Sequence, residues 1–188
     1  MRAKITEPSY FNQFKLASAT VEALGKGYNT LACVKHAIHL SQKKKYDQIW
    51  CVFDKDDFPN SDFNDAIKLA KTNGLKVAYS NMSFEYWMIL HFDDHQGGGM
   101  HRSRYDEVIN KHLKPFHLEY EGEDSKLVTQ DIFDVLMSKG PKTETDRVLL
   151  AIERAKRNYE LFDHTSPANE ESSTTVFELV DELLKYKN

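Results

Sequence analysis

The sequence lacks the features that mark membrane-spanning, secreted and repetitive proteins. No apolar run approaches the roughly 20 residues that a bilayer-spanning helix needs. The N-terminus has no apolar segment of the signal-peptide kind, and the chain shows neither internal repeats nor low-complexity blocks. Cysteine occurs only as Cys33 and Cys51, both in apolar segments, so we interpret them as buried thiols in a reducing compartment. These absences favour a globular cytoplasmic protein with no membrane partner.

Length and composition fit one globular domain. A hydrophobic content of 40% and a charged content of 29% are those of an ordinary soluble protein. We therefore expect a single domain over residues 1–188. Its core is expected in about 1–92 and a helical region in about 103–188.

Charge is distributed unevenly along the chain. The net charge of -4 does not by itself indicate nucleic-acid binding. Residues 1–53 carry eight Lys or Arg against three Asp or Glu, whereas the rest of the chain carries 17 against 26. A basic N-terminal part beside an acidic cluster would let a polyanion approach a metal site. The alternative is that both charged regions are ordinary solvent-exposed surfaces, and the charge pattern alone does not decide between the two.

The pattern of apolar residues predicts a β-α-β unit over residues 48–79. An amphipathic helix over 29–45 precedes it. The continuous apolar run 48–53 is typical of a strand covered on both faces, as in a parallel sheet. A helix follows, with Ser61 as its expected N-cap and Gly74 as its C-terminal glycine. Residues 75–79 then predict the second strand.

The spacing of apolar residues also predicts that the rest of the chain is predominantly helical. A capping box of Thr143 and Asp146 is expected to start one of these helices. Residues 93–101 form an expected loop that contains three consecutive glycines, and residues 167–175 an expected polar linker. The sequence thus predicts an α/β fold with a mostly parallel central sheet and a helical C-terminal part. The further helices are expected over 84–92, 105–113, 126–137, 143–162 and 176–186.

The sharpest chemical signal is Asp54 and Asp56, directly after the apolar run Ile49–Phe53. Two residues apart on an extended chain, their side chains can point to the same side. Hard oxygen ligands at the carboxyl end of a strand are typical of a Mg²⁺ site in an α/β sheet. A solvated turn is the alternative. Asp57 is expected to cap the following turn, and Lys55 either contacts a phosphate or relieves repulsion among the acids.

Glu85 and several histidines are further candidates. Glu85 is either a surface glutamate in the first turn of its helix or a third acid near the metal. His91, His95 and His101 flank the glycine loop, but their spacing is too irregular for a zinc site, which also usually contains cysteine.

Four segments together resemble the RloB-like family, in the same order and over nearly the whole chain. That family resembles a divergent branch of the Toprim-type α/β nucleases, and its members occur in prokaryotic restriction and abortive-infection loci, often beside an ATPase. The segments are TEPSYF (Thr6–Phe11), VFDKDDF (Val52–Phe58), SNMSFEYWMILHF (Ser80–Phe92) and SSTTVFELVDEL (Ser172–Leu183).

The resemblance implies a Toprim-like, Rossmannoid sheet, Mg²⁺ or Mn²⁺ as cofactor and phosphodiester cleavage. Asp54 and Asp56 match the metal-binding acids, and Glu85 matches the glutamate of the Phe-Glu-x-Trp motif. One departure concerns the first strand, which in the family ends in Glu-Gly before Thr-Glu-Pro. Residues 1–5 leave no room for it, so either the chain starts late or this member lacks the first-strand glutamate. Other family-motif positions are Thr6, Glu7, Ser80, Asn81, Trp87 and His91.

Three functions remain open at this point. The leading one is a metal-dependent nuclease subunit in antiviral defence, working with an ATPase on DNA or RNA. The second is a non-catalytic subunit that binds nucleic acid or the ATPase. The third is a haloacid-dehalogenase-like phosphatase with Asp54 as nucleophile, although Asp57-Phe58-Pro59 departs from that pattern. A homo-oligomer is also possible. Candidate phosphate contacts are Lys43, Lys44, Lys45, Lys55, Arg154, Lys156 and Arg157.

Overall fold

Two parallel strands and eight α-helices make up the part of the chain that the structure describes. The structure is a computed structural model, and it describes residues 5–16, 29–96, 100, 102–141 and 143–187. The expected α/β class is confirmed, although helices predominate. The elements are α1 (Thr6–Phe11), α2 (Thr30–Lys43), β1 (Trp50–Asp54), α3 (Asn60–Thr72), β2 (Lys76–Ser80), α4 (Glu85–Leu90), α5 (Tyr105–Leu113), α6 (Gln130–Met137), α7 (Arg147–Tyr159) and α8 (Val176–Leu184). Short 3-10 turns cover Arg102–Arg104, Lys114–Phe116 and Pro167–Asn169.

The predicted β-α-β unit is present. β1 and β2 pair in parallel, with Trp50 opposite Lys76 and Asp54 opposite Ser80. α3 connects the two strands, and Gly74 follows it with φ of +70°, a left-handed conformation that glycine adopts without a steric penalty. The expected N-cap is wrong by two residues. α3 starts at Asn60, and the rigid φ of Pro59 supplies the turn into the helix.

Residues 167–175 are not the polar linker that the sequence suggests. The stretch Ser172–Thr175 is buried and runs along β2, where Thr174 forms an antiparallel bridge with Ser80. The Thr175 amide donates to the Tyr79 carbonyl at 2.8 Å. The Thr175 hydroxyl accepts from the Tyr79 amide at 2.9 Å. The hydroxyls of Thr174 and Thr175 thus bond to backbone groups of Tyr79, which offsets part of the cost of burying this polar segment.

α7 also begins later than expected. It starts at Arg147 with Asp146 in the N-cap position, and no side chain caps it. The capping box is therefore wrong. The Thr143 hydroxyl instead accepts from the Thr145 amide at 3.0 Å, within the turn before the helix. The glycine loop at 97–99 lies outside the described residues.

The buried apolar side chains form two clusters. The smaller cluster packs α2 and α3 against the two strands, around Phe63 and Cys51. The larger cluster surrounds α4 and includes Tyr10, Trp87 and Ile109. Every residue of α4 is buried, as expected of a helix that is apolar on nearly all sides. None of the helices in the described ranges combines the length and the apolar composition of a membrane span.

Candidate active site

The carboxyl end of β1 carries Asp54 and continues into a turn that β2 holds in place. The Lys55 amide donates to the Ser80 carbonyl at 2.9 Å, and the Asp56 amide donates to the Met82 carbonyl at 3.1 Å. Asp56 has φ of +48°, a left-handed conformation that aspartate tolerates better than most residues. Asp54 and Asp56 are both half-buried. The two predicted ligands are thus held, with a fixed backbone, at the strand end where sites form in α/β sheets.

Lys55, between these two acids, is directed into the protein. Only 8% of its surface is exposed. Its ammonium donates to the Phe58 carbonyl at 2.7 Å and to the Asp56 carbonyl at 3.3 Å. The lysine therefore stabilises the turn that presents the acids. Its contact with a phosphate stays a prediction.

Glu85 is buried, so it is not a surface residue of the first turn. Its exposed fraction is 5%. The Tyr120 hydroxyl donates to Oε1 at 2.7 Å, and the Ser83 hydroxyl donates to Oε2. Hydrogen bonds to a charged group contribute about 1.5–3 kcal/mol each, so these two donors hold the Glu85 side chain firmly in one orientation.

Glu7, in the first turn of α1, lies close enough to Glu85 for their charges to interact. Its exposed fraction is 4%, and its Oε1 has no hydrogen-bond partner among the described residues. Burial, with a smaller contribution from the nearby Glu85 charge, raises the pKa of Glu7 to about 8, although a backbone hydrogen bond acts in the opposite direction. Glu7 therefore holds a proton near neutral pH.

Two buried tyrosines lie near these acids, and neither was found from the sequence. The Tyr120 hydroxyl, which contacts Glu85, also lies 3.2 Å from the Thr6 hydroxyl, 114 positions away, and so links α4 to α1. The Tyr105 hydroxyl has no hydrogen-bond partner among the described residues. Burial raises the pKa of Tyr105, and negative charge on Glu171, Glu85 and Asp54 adds to the shift. The Tyr105 hydroxyl thus lies within electrostatic range of both Asp54 and Glu85. No local pattern marks either tyrosine, because their partners are distant in sequence.

Two of the family-motif residues, Ser80 and Asn81, tie β2 to the C-terminal segment. The Ser80 hydroxyl lies 2.9 Å from the Thr174 hydroxyl. The Asn81 side chain donates to the Pro167 carbonyl at 2.7 Å, and its amide donates to the Ser173 carbonyl at 2.8 Å. These contacts fix the end of β2, opposite the acidic turn.

Two others, Trp87 and His91, belong to the core. His91 is 1% exposed, and its Nδ1–H donates to the Trp87 carbonyl at 2.9 Å. Burial lowers the pKa of His91 to about 3, so the ring is neutral at physiological pH.

Across the residues that the structure describes, no three Asp, Glu, His or Cys side chains group so as to hold a metal ion. His101 lies outside them.

The basic candidates do not gather around the acids. Lys43, Lys44 and Lys45 are exposed and lie shortly before β1 begins, whereas Asp54 is at its other end. Arg154 donates to the Leu90 carbonyl at 2.7 Å and so caps α4. Arg157 pairs with Asp94, and Lys156 lines a cavity of about 590 Å³ that also contains Trp50 and Lys76. This cavity adjoins the first residues of both strands, away from the acidic turn.

Fold and site together define an α/β protein with two carboxylates at the end of a parallel β-α-β unit and a buried acid pair nearby. A family model described as "RloB-like protein" matches residues 2–183. The chain therefore belongs to the RloB-like family, as its motifs indicate. A comparison with curated proteins and one with solved structures each gave no match.

Proposed function

We propose that this RloB-like protein is a divalent-metal-dependent nuclease subunit in prokaryotic antiviral defence, working with a partner ATPase. The observation that carries the proposal is the turn after β1, where Asp54 ends a parallel strand and Asp56 follows it. Two backbone hydrogen bonds hold this turn, one to Ser80 at the end of β2 and one to Met82 just after it. Family membership supports the proposal, because the resemblance to Toprim-type nucleases comes through the same motifs.

The donor set at this turn fits Mg²⁺ or Mn²⁺ in an open site. Mg²⁺ usually binds one or two carboxylates and completes its coordination with water and phosphate oxygens. Asp54 and Asp56 supply two carboxylates, and the described residues add no third ligand that would enclose the ion. When bound, the ion supplies positive charge that stabilises a phosphodiester transition state.

The remaining residues position the site and set its charge. Lys55 holds the turn through its two carbonyl contacts. Tyr120 and Ser83 hold the Glu85 side chain in one orientation. Glu7, protonated near neutral pH, removes one negative charge from the buried network, which lets two acids lie together without a second cation.

A non-catalytic binding subunit is the second candidate. The observation that favours it is the absence, in the described part of the chain, of a three-acid metal group. Such a protein would bind nucleic acid or the ATPase through the same surface and would cleave nothing.

The two candidates differ in the effect of Asp54→Asn, a change that keeps the side-chain shape and removes its charge. Loss of a group that only supports a metal ligand costs about 10–100-fold in affinity or activity, so loss of a ligand should cost more. We expect Mg²⁺-dependent cleavage to fall by more than about 100-fold. Labelled single- and double-stranded DNA and RNA are the substrates, tested with the protein alone and with an ATPase encoded beside it.

Asp57→Asn is the matched control, because Asp57 is exposed and adjacent in sequence. Its activity should stay close to that of the unmodified protein. Cleavage that survives Asp54→Asn would refute the metal assignment. Nucleic-acid binding without cleavage by any of these proteins, with or without the ATPase, would favour the non-catalytic subunit.

A further inference from the structure

The two cysteines of the chain lie side by side. Cys33 is on α2 and Cys51 is on β1, and both thiols are free. α2 packs against β1, and the two thiols are close enough for each to shift the pKa of the other. Cys51 is a member of the smaller hydrophobic cluster, and Cys33 packs against that cluster. The thiols are thus adjacent, although 17 residues separate them in sequence.

The two thiols have unequal surroundings. Cys51 is 1% exposed, whereas Cys33 is half-buried and can be reached from solvent. The nearby Cys51 thiol lowers the pKa of Cys33. The nearby Cys33 thiol, followed by burial, raises the pKa of Cys51. A partly exposed cysteine with thiolate character beside a second cysteine is the arrangement found in redox-sensitive thiol pairs.

We propose that Cys33 and Cys51 are a modification site, at which a peroxide converts the thiol pair into a reversible disulfide between α2 and β1. Cys33 is the attacking sulfur because it is accessible. Cys51 is the resolving sulfur because it is adjacent and shielded. The inference is independent of the proposed nuclease function, since neither step needs metal or nucleic acid.

The chemistry balances with hydrogen peroxide as the oxidant. The Cys33 thiolate attacks one peroxide oxygen, so a sulfur–oxygen bond forms, the oxygen–oxygen bond breaks and hydroxide leaves. Cys33 is then a sulfenic acid. The Cys51 sulfur gives up its proton and attacks the Cys33 sulfur, so the disulfide forms and the hydroxyl leaves as water. Peroxide gains two electrons and the two thiols lose them; a dithiol reductant reverses the change by thiol–disulfide exchange.

Peptide mapping tests this proposal in the intact protein. After treatment with hydrogen peroxide and blocking of remaining thiols, trypsin should release peptides 27–35 and 46–55 joined as one species. Its mass should be two hydrogen atoms below the sum of the separate peptides, and dithiothreitol should separate them. The disulfide should be intramolecular, with no covalent link between two chains.

Two variants assign the roles of the sulfurs, with folding checked by circular dichroism. In Cys51→Ala, Cys33 should accumulate as a sulfenic acid that dimedone traps. In Cys33→Ser, the Cys51 thiol should be lost at least about tenfold more slowly at the same peroxide concentration, because it is buried and keeps its proton. Reversed rates would overturn the assigned roles.

Sulfinic acid on Cys33 without the linked peptide would overturn the proposal, and so would a disulfide between two molecules. Peptide mapping of the protein without substitutions decides whether the Cys33–Cys51 disulfide forms. A variant that fails to fold therefore does not affect that test. Failure here would not bear on cleavage by the acidic turn, and loss of the nuclease assignment would not bear on the thiol pair.

Discussion

The two acid pairs of this protein lie in contrasting surroundings. Asp54 and Asp56 are half-buried on a turn at the end of a strand, whereas Glu7 and Glu85 are enclosed in the larger cluster with at most 5% of their surface exposed. The first pair lies on a turn that backbone hydrogen bonds hold in place. The second pair lies among buried side chains, and one of its members, Glu7, has a pKa raised to about 8. The contrast separates the acids that we propose to bind an ion from acids enclosed in the core.

The largest expected effect that tests this contrast is the pH dependence of stability. The folded pKa of Glu7 is about 8 and its ordinary value is 4.5, so the folded state binds a proton that the unfolded state has lost. The stability that this proton contributes is fully present below pH 4.5 and is lost as the pH rises through 8. At about 1.4 kcal/mol per pH unit, the free energy of unfolding should fall by about 4 kcal/mol between pH 5 and 8.

Urea unfolding at several pH values measures this change, and Glu7→Gln should flatten the slope because the amide does not titrate. Glu160→Gln, at an exposed position, is the matched control and should keep it. An equal slope in all three proteins would mean that Glu7 is ionised in the folded state, and the contrast between the acid pairs would fail.

The next effect comes from truncating the buried carboxylate itself. Glu85→Ala leaves the Tyr120 and Ser83 hydroxyls without their acceptor, which should cost about 2–4 kcal/mol of unfolding free energy. Glu153→Ala, at an exposed acid of α7, should change stability by less than about 0.5 kcal/mol. Chemical denaturation at pH 7 checks both. Equal losses would remove the distinction between buried and exposed acids.

A smaller effect tests how much the hydrogen bond from Tyr120 to Glu85 contributes to stability. Tyr120→Phe removes one donor and keeps the ring, so a loss of about 1.5–3 kcal/mol is expected. Tyr46→Phe is the control, because Tyr46 is only half-buried and lies outside both clusters. Its change should stay within about 0.5 kcal/mol. If Tyr120→Phe changed the unfolding free energy as little as the control does, the hydrogen bond to Glu85 would not contribute to stability.

The smallest effect extends the comparison to an acid paired at the surface. Asp94 and Arg157 form an ion pair with side chains 39% and 43% exposed. Such pairs contribute about 0–1 kcal/mol because water and salt screen them. Arg157→Gln should therefore lower the unfolding free energy by less than 1 kcal/mol, and the difference should shrink in 1 M salt. A larger, salt-insensitive loss would show that this surface acid behaves like the buried ones.

The β-α-β unit could be predicted because each of its signals is local. Apolar runs, helical spacing and Gly74 depend on residues a few positions apart, and Asp54 follows its strand directly. The burial of Glu85 could not be predicted, since a first-turn glutamate satisfies the helix dipole equally well at the surface. Its donor Tyr120 is 35 positions away.

The acid pair and the C-terminal segment also depend on distant contacts. Only the family motif indicates Glu7 as a candidate, because no residue near it in sequence predicts its burial beside Glu85. The serines and threonines of 172–175 are the composition of a solvated linker. They become a buried element only because β2, more than 90 positions earlier, offers matching backbone groups.

That pairing also sets an order of assembly. During synthesis β2 is made long before residues 172–175, so its amide and carbonyl at Tyr79 await partners that do not yet exist. Contacts so distant in sequence close a large loop and form slowly, and an unpaired strand edge meanwhile favours association with other chains. The nascent protein therefore cannot complete this pairing of β2 until residue 175 has been added, so the edge of β2 stays open to association while the intervening residues are made.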